Sequence, residues 1–170
     1  MGRDKALLPF RGATLAGTVA EAVKSAAGSV RLVGSLCYGD LGYGVVPDMY
    51  PGEGPLGGIL TALDDTAADW NLIVACDMPA LSAGFLRQLL DAAGARDAGV
   101  LLPADPSGRL QPLCAVYHRS CRQGLGAAFA RGVRTMAVAL DDVPHAPGPV
   151  AEAVYFQNVN TPEDWADYGR

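Results

Sequence analysis

The sequence has 170 residues, of which 50% are hydrophobic and 18% charged, so we expect one folded domain with its own core rather than a disordered chain. A net charge of −5 argues against a nucleic-acid face or a polybasic membrane patch, both of which need clustered Lys and Arg. No apolar run approaches the roughly 18 residues of a membrane span, so we expect neither nucleic acid nor membrane as a partner.

Short apolar runs predict strands, and the amphipathic stretches between them predict helices. The predicted strands are 30–33, 72–76, 99–102, 113–117, 136–140 and 154–156. The predicted helices are 14–27 with a stop at Gly28, 56–63, one that Ser82 caps, 120–129, and one that starts at Thr161-Pro162. Strands that alternate with helices indicate an α/β fold with a mostly parallel sheet, which binds ligands beyond the carboxyl ends of its strands.

The four cysteines, at positions 37, 76, 114 and 121, show no C-x-x-C spacing, and only two histidines accompany them. This pattern argues against a zinc cage. Cys76 and Cys114 lie inside apolar runs, so we expect both to be small core residues. The segment Met1–Phe10 has no secretory character, which predicts a reducing, cytoplasmic location.

The segment MGRDKALL carries Lys5, whose compact positive charge suits a phosphate. An ordinary solvated segment is the commoner explanation for so short a basic stretch. Further along, 46–58 (VPDMYPGEGPLGG) forms a glycine- and proline-rich loop before a helix, where N–H groups favour anions and hydrogen-bond acceptors. A loop that is merely rich in turn residues explains it equally well.

Asp77 directly follows the apolar strand 72–76, which places it at the carboxyl edge of the sheet. A hard oxygen ligand there suits Mg²⁺ held together with nucleotide phosphates, although an Asx-turn or a cap explains it equally well. The segment 109–113 (RLQPL) offers an Arg for phosphate and an amide that both donates and accepts. The asparagines of 156–162 (FQNVNTP) lie before a helix, where capping is the plain explanation.

In this order, MGRDKALL, PDMYPGEGPLGGILTAL, VACDMP, RLQPLCAVY and NVNTPEDW make the sequence resemble the molybdenum cofactor guanylyltransferases. The resemblance runs from Met1 to about Trp165. It implies a Rossmann-like three-layer α/β sandwich and a nucleotidyltransferase that uses GTP, molybdopterin and Mg²⁺, with Mn²⁺ as the alternative ion. Other cofactor-biosynthesis proteins are the macromolecular partners that the resemblance implies.

The resemblance also implies roles for single residues. Lys5 would be a catalytic residue that binds the GTP phosphates. Asp77 would be catalytic, bind the nucleotide and hold the metal ion, with Asn160 as a second metal ligand. The nucleotide-binding residues would include Asp48, Gly54, Pro55 and Leu56, and Gln111 and Arg134 would lie on the pterin side. The implied reaction is attack by the terminal phosphate of molybdopterin on the α-phosphorus of GTP, with loss of pyrophosphate.

One departure from the family pattern lies at the front of the sequence. Family members begin with a strand and a loop of the form LAGGxSxRMG, of which only the final MG is present here. We therefore expect residues 1–170 to form one N-terminally truncated domain that lacks the first strand and exposes a strand edge. The alternatives are a cytidylyltransferase or another small nucleotidyltransferase, and a catalytically impaired protein that binds nucleotide or docks to a partner.

Overall fold

The computed structural model describes residues 4–96 and 98–159. The strands are β1 (Pro9–Phe10), β2 (Ala13–Thr14), β3 (Arg31–Gly34), β4 (Gly44–Pro47), β5 (Trp70–Val74), β6 (Val100–Ala104), β7 (Cys114–His118) and β8 (His145–Val150). The α-helices are α1 (Leu15–Ala27), α2 (Pro55–Asp64), α3 (Ala83–Ala93), α4 (Cys121–Ala130) and α5 (Met136–Ala139). Short 3-10 helices cover Lys5–Leu7, Leu36–Leu41, Leu140–Asp142 and Ala153–Phe156.

The main strands form two sheets, and a small hairpin of β1 and β2 stands apart from them. One sheet pairs β3 with β4 in parallel. The other has the order β5-β7-β6-β8, in which β7 runs antiparallel to both of its neighbours and β6 runs parallel to β8. β5, β6 and β8 therefore point the same way, and β7 alone opposes them.

Helices cover both faces of the larger sheet. Val100 and Leu102 of β6 pack with α2, α4 and α5 on one face, whereas Leu101, the residue between them, packs with α3 on the other. This alternation follows from the two-residue period of a strand. The predicted three-layer α/β sandwich is confirmed.

Local signals in the sequence set the ends of two helices as predicted. Ser82 caps α3, because its hydroxyl accepts a hydrogen bond from the Phe85 N–H at 3.2 Å. Gly28 ends α1 with a φ of 81°, a left-handed conformation that glycine adopts without strain. The helix predicted at Thr161 lies outside the described residues.

Two predicted strands are wrong. Residues 136–140 form α5 and the start of a 3-10 turn, because Met136, Ala139 and Leu140 are buried at helical spacing. Residues 154–156 lie in a 3-10 helix whose Tyr155 ring stacks on Phe85, with the ring centroids 5.1 Å apart. Both runs are too short for apolar content alone to separate a strand from a helical turn.

The prediction omits β1, β2, β4 and β8. The sequence of β8, HAPGPV, has two prolines and no apolar run, so it does not resemble a strand. It forms one because it lies at the edge of the sheet, where a missing backbone N–H is tolerated.

The predicted core position is confirmed for Cys114 and wrong for Cys76, which is exposed just beyond the end of β5. Within residues 4–96 and 98–159, no helix has the length and hydropathy needed to cross a bilayer.

Candidate nucleotide and metal site

The contact between Lys5 and Asp77 is the centre of the candidate site. The Lys5 Nζ lies 3.2 Å from Asp77 Oδ2, although 72 residues separate the two in sequence. Both side chains are only partly exposed, at 29% and 22%. The structure therefore brings together the two residues for which the family resemblance implies a catalytic role.

Local hydrogen bonds hold Lys5 in place. Lys5 begins a 3-10 turn, and the Asp4 carboxylate caps this turn by accepting a hydrogen bond from the Ala6 N–H at 3.0 Å. The other Asp4 oxygen accepts a hydrogen bond from the Tyr38 hydroxyl at 2.8 Å. Burial, with a further contribution from the Asp4 carboxylate, raises the pKa of Tyr38, which therefore stays a neutral donor.

The Asp77 carboxylate has one oxygen that no donor satisfies. Its Oδ1 is buried and accepts no hydrogen bond from the described residues, while Oδ2 pairs with Lys5. A buried anionic oxygen without a donor is costly, and a hard divalent cation is the ligand that it suits. Because the described residues contain no group of three or more His, Cys, Asp or Glu that could hold a metal ion, nucleotide phosphates and water would complete the shell.

The backbone of Asp77 also anchors the segment that leads to Asn160. The Val159 N–H donates to the Asp77 carbonyl at 2.9 Å, and the Val159 side chain is buried with Phe10 and Leu15. Asn160 itself, the predicted second metal ligand, lies outside the described residues.

Asp48 lies near the start of the predicted nucleotide loop and organises the loop from within. Its Oδ1 accepts hydrogen bonds from the Tyr50 N–H at 2.9 Å and the Thr61 hydroxyl at 3.3 Å. Asp48 also lines one cavity together with Pro55 and Cys76. The loop and the residue before Asp77 thus face the same space.

The loop ends where α2 begins. Gly54 has a φ of 79° and forms no side-chain cap, and Pro55 occupies the first helical turn. A helix start of this kind leaves N–H groups for an external acceptor, which is the property expected of a nucleotide loop. Leu56 is fully buried against the core, so its side chain holds the helix in place, and only its backbone could face a nucleotide.

Two contacts fasten the loop to α4 and to the segment that follows it. The Tyr50 ring lies 4.8 Å from the Phe129 ring, centroid to centroid. The Glu53 carboxylate pairs with Arg134 Nε at 2.5 Å. The Arg134 guanidinium also lies 4.0 Å above the Phe129 ring and donates to two backbone carbonyls.

The two residues predicted for the pterin side are held in different ways. Gln111 is buried in the loop between β6 and β7, where its Nε2 donates weakly to the Arg109 carbonyl at 3.4 Å. Among the described residues, no hydrogen bond or ion pair links Gln111 to Arg134, which lies against the nucleotide loop instead. Their pterin roles stay predictions.

Sequence reasoning gave no role to Glu53, Tyr38 or Gly34. Only the structure shows that position 34 requires glycine, because its φ is 149° and a Cβ there would lie 2.6 Å from the Tyr38 ring. Glu53 stands in the GEGPLGG stretch, but its partner is 81 residues away. No short-range sequence pattern predicts an ion pair over that separation.

Changing Gly57 to Ala should destabilise the loop, since an added Cβ would lie 2.8 Å from Tyr50 Cβ and 3.3 Å from the Tyr50 carbonyl oxygen. We expect a loss of about 1–3 kcal/mol in the free energy of unfolding, measured by urea titration. Gly58→Ala is the matched control, because a Cβ there meets nothing within 4 Å and Ala favours a helix. Equal unfolding midpoints for the two variants would contradict the tight approach of Tyr50 to α2.

Comparison with known proteins identifies relatives of this chain. A probable molybdenum cofactor guanylyltransferase from Clostridium perfringens is 42% identical over 85 residues, which span 50% of this chain but only 41% of that relative's length. The molybdenum cofactor guanylyltransferase of a Shewanella species is 31% identical over 95% of this chain and 84% of its own.

A solved structure and a family model extend the comparison. The crystal structure of molybdopterin-guanine dinucleotide biosynthesis protein A from Archaeoglobus fulgidus shares the fold with a TM-score of 0.81 at 23% identity, over 98% of this chain and 89% of that one. The family model for the MobA-like NTP transferase domain matches residues 1–153. This chain, with Lys5 and Asp77 at the centre of its candidate site, belongs to the MobA-like NTP transferase domain family.

Proposed function

We propose that this chain transfers GMP from GTP to the terminal phosphate of molybdopterin, which already bears molybdenum, and releases pyrophosphate. The observation that carries the proposal is the contact between Lys5 and Asp77, whose Oδ1 accepts no hydrogen bond from the described residues. The relatives named guanylyltransferases supply the substrate identities.

The transfer needs little covalent help from the protein. An oxygen of the molybdopterin phosphate forms a bond to the α-phosphorus, and the bond to the oxygen that bridges the α- and β-phosphorus breaks. Pyrophosphate leaves with the electron pair. Because the attacking phosphate is already an anion near neutral pH, no general base is required, and positioning and charge neutralisation are the protein's contribution.

Each residue of the site has a part in this scheme. Asp77 would hold Mg²⁺, or Mn²⁺ in its place, and the ion when bound supplies positive charge beside the phosphates of GTP. Lys5 exchanges its contact with Asp77 for the phosphates that leave as pyrophosphate. Asp48, Gly54, Pro55 and Leu56 shape the loop that orients the nucleoside, and the Glu53–Arg134 pair fixes that loop against α4.

Further assignments from the sequence belong to the same proposal. Asn160 would complete the metal site, since its neighbour Val159 bonds to the Asp77 backbone. Gln111 and Arg134 would meet the pterin. The proposal includes a cytoplasmic location and docking to other cofactor-biosynthesis proteins, and the net charge of −5 argues against nucleic-acid or membrane partners.

The choice of base tests the function directly. Pyrophosphate release is measured with molybdopterin, Mg²⁺ and either GTP or CTP. We expect GTP to be used about 10²-fold better or more, because a site that hydrogen-bonds one base leaves polar groups unpaired with the other. Preference for CTP would identify a cytidylyltransferase, and binding of MgGTP without pyrophosphate release would identify a nucleotide-binding protein; either result overturns the proposal.

A further inference from the structure

Thr61 is a polar residue at an apolar position of α2. Its side chain is fully buried, within the apolar stretch 56–63 (LGGILTAL). Leu60 and Leu63, which lie close to it in sequence, are buried in the main core. A hydroxyl in such surroundings costs free energy unless it is hydrogen-bonded, so its partners decide why threonine rather than valine stands here.

The Thr61 hydroxyl has three partners within hydrogen-bond distance. One is the Gly57 carbonyl at 3.0 Å, four residues earlier in the same helix. The other two lie just after β4: the Met49 N–H donates to the hydroxyl at 3.1 Å, and Asp48 Oδ1 lies 3.3 Å from it. The contact with Gly57 is common for threonines in helices, whereas the other two join α2 to the nucleotide loop.

The two oxygens of Asp48 are used differently. Oδ1 accepts a hydrogen bond from the Tyr50 N–H at 2.9 Å and one from the Thr61 hydroxyl. Between Asp48 Oδ2 and the described residues there is no hydrogen bond or ion pair. A carboxylate that is fixed through one oxygen presents the other in a defined direction, where it can accept from a donor of the ligand.

The two donors to Asp48 hold it against different parts of the protein. The Tyr50 N–H belongs to the same loop, so it moves together with Asp48 when the loop moves. Thr61 belongs to α2, which is packed into the core through Leu56 and Ile59. The Thr61 hydroxyl therefore ties Asp48 to the packed interior of the fold.

We propose that Thr61 is a positioning residue for the nucleotide: its buried hydroxyl sets the direction of the Asp48 carboxylate, so that Oδ2 meets a hydroxyl or N–H donor of the nucleoside. A carboxylate only accepts hydrogen bonds and repels phosphate, so the nucleoside end of the substrate is its partner. Thr61 itself touches no substrate and acts through Asp48. The inference rests on the proposed function, in which Asp48 binds the nucleotide.

Thr61→Val keeps the size of the side chain and removes the hydroxyl. We expect the KM for GTP to rise about tenfold, as for the loss of one hydrogen bond to a charged group. The kcat should change by less than about twofold, because Asp48 holds the nucleoside equally in the ground state and the transition state. Thr61→Ser keeps the hydroxyl and should stay within about twofold of the wild-type KM.

Thr18→Val is the matched control for Thr61→Val. The Thr18 hydroxyl donates at 3.0 Å to the Thr14 carbonyl, four residues earlier in α1, which is the same local contact as that of Thr61 with Gly57. Its loss should leave the KM for GTP unchanged.

A double-mutant cycle with Asp48→Ala separates positioning from packing. If Thr61 acts through Asp48, Thr61→Val lowers kcat/KM for GTP about tenfold in the wild-type background but less than about twofold in the Asp48→Ala background. A purely structural role would give the same factor in both backgrounds. Thr61→Cys, whose thiol is a weak donor and acceptor, gives the same comparison if the valine variant does not fold.

Hydrogen exchange examines the contact without the reaction. The Met49 amide donates to Thr61, so we expect it to exchange about tenfold faster in Thr61→Val than in Thr61→Ser or the wild type. An unchanged exchange rate would show that the hydroxyl does not hold the loop, and would overturn the inference.

The kinetic results distinguish the failure of this inference from the failure of the proposed function. A wild-type KM for Thr61→Val, equal factors in the two backgrounds, or a raised KM that serine does not restore would overturn the positioning role and leave the proposed function standing. A wild-type chain that binds MgGTP but releases no pyrophosphate would overturn the proposed function, and the affinities of the same variants for MgGTP would then decide the role of Thr61. A wild-type chain that binds no MgGTP would overturn both.

Discussion

Asp77→Asn lowers the rate of GMP transfer by about 10³-fold or more, while the free energy of unfolding changes by less than about 1 kcal/mol. The carboxamide keeps the size of the side chain but removes the anionic oxygen that would hold the divalent ion, including the buried Oδ1. The fold tolerates the change because the lost ion pair with Lys5 is partly exposed. Initial rates of pyrophosphate release and urea unfolding measure the two effects.

The control for this prediction is Asp69→Asn. Asp69 forms an exposed ion pair with Arg119 at 2.9 Å, with side-chain exposures of 65% and 57%, so the same chemical change is made away from the site. We expect wild-type rates from it. A wild-type rate from Asp77→Asn would remove Asp77 from the mechanism, and an unfolded Asp77→Asn protein would show that the carboxylate is structural.

Lys5→Met lowers the rate about 10²-fold and raises the KM for GTP, because the ammonium group no longer neutralises the phosphates. The same change should have the opposite effect on the metal ion alone. Lys5 now occupies Asp77 Oδ2, so its removal frees the carboxylate, and Mn²⁺ binding without nucleotide should tighten. Steady-state kinetics and Mn²⁺ titration give the two readouts.

Lys24→Met is the matched control for Lys5→Met. Lys24 is an exposed residue of α1 whose ammonium lies 5.9 Å from the centre of the Tyr43 ring. Its loss should leave both readouts unchanged. A Lys5→Met protein with an unchanged KM for GTP, or with weaker Mn²⁺ binding, would contradict the exchange of Lys5 between Asp77 and the phosphates.

The sequence predicted those parts of the fold that depend on neighbours along the chain. The Ser82 cap, the Gly28 stop and the apolar runs of β5, β6 and β7 each lie within a few residues, and each is confirmed. Edge strands are not predicted in this way. For example, β8 is stabilised by pairing with β6 rather than by its own apolar content.

The candidate site likewise contains residues that the sequence predicts and contacts that it does not. Asp77 was predictable because a carboxylate directly after an apolar strand must lie at the edge of the sheet. The family resemblance alone put Lys5 in the same site, and the direct contact between the two, 72 residues apart, was not predicted. The Glu53–Arg134 and Tyr38–Asp4 contacts have no sequence signal, because tertiary packing alone creates them.

A crystal structure with Mn²⁺ and a GTP analogue that carries a methylene bridge between the α- and β-phosphates shows directly whether Asp77 holds the ion. We expect an anomalous peak about 2.1 Å from Asp77 Oδ1 that also contacts a phosphate oxygen, with Lys5 turned from Asp77 to the phosphates. An ion bound to the phosphates but remote from Asp77, with the Lys5–Asp77 pair intact, would contradict it.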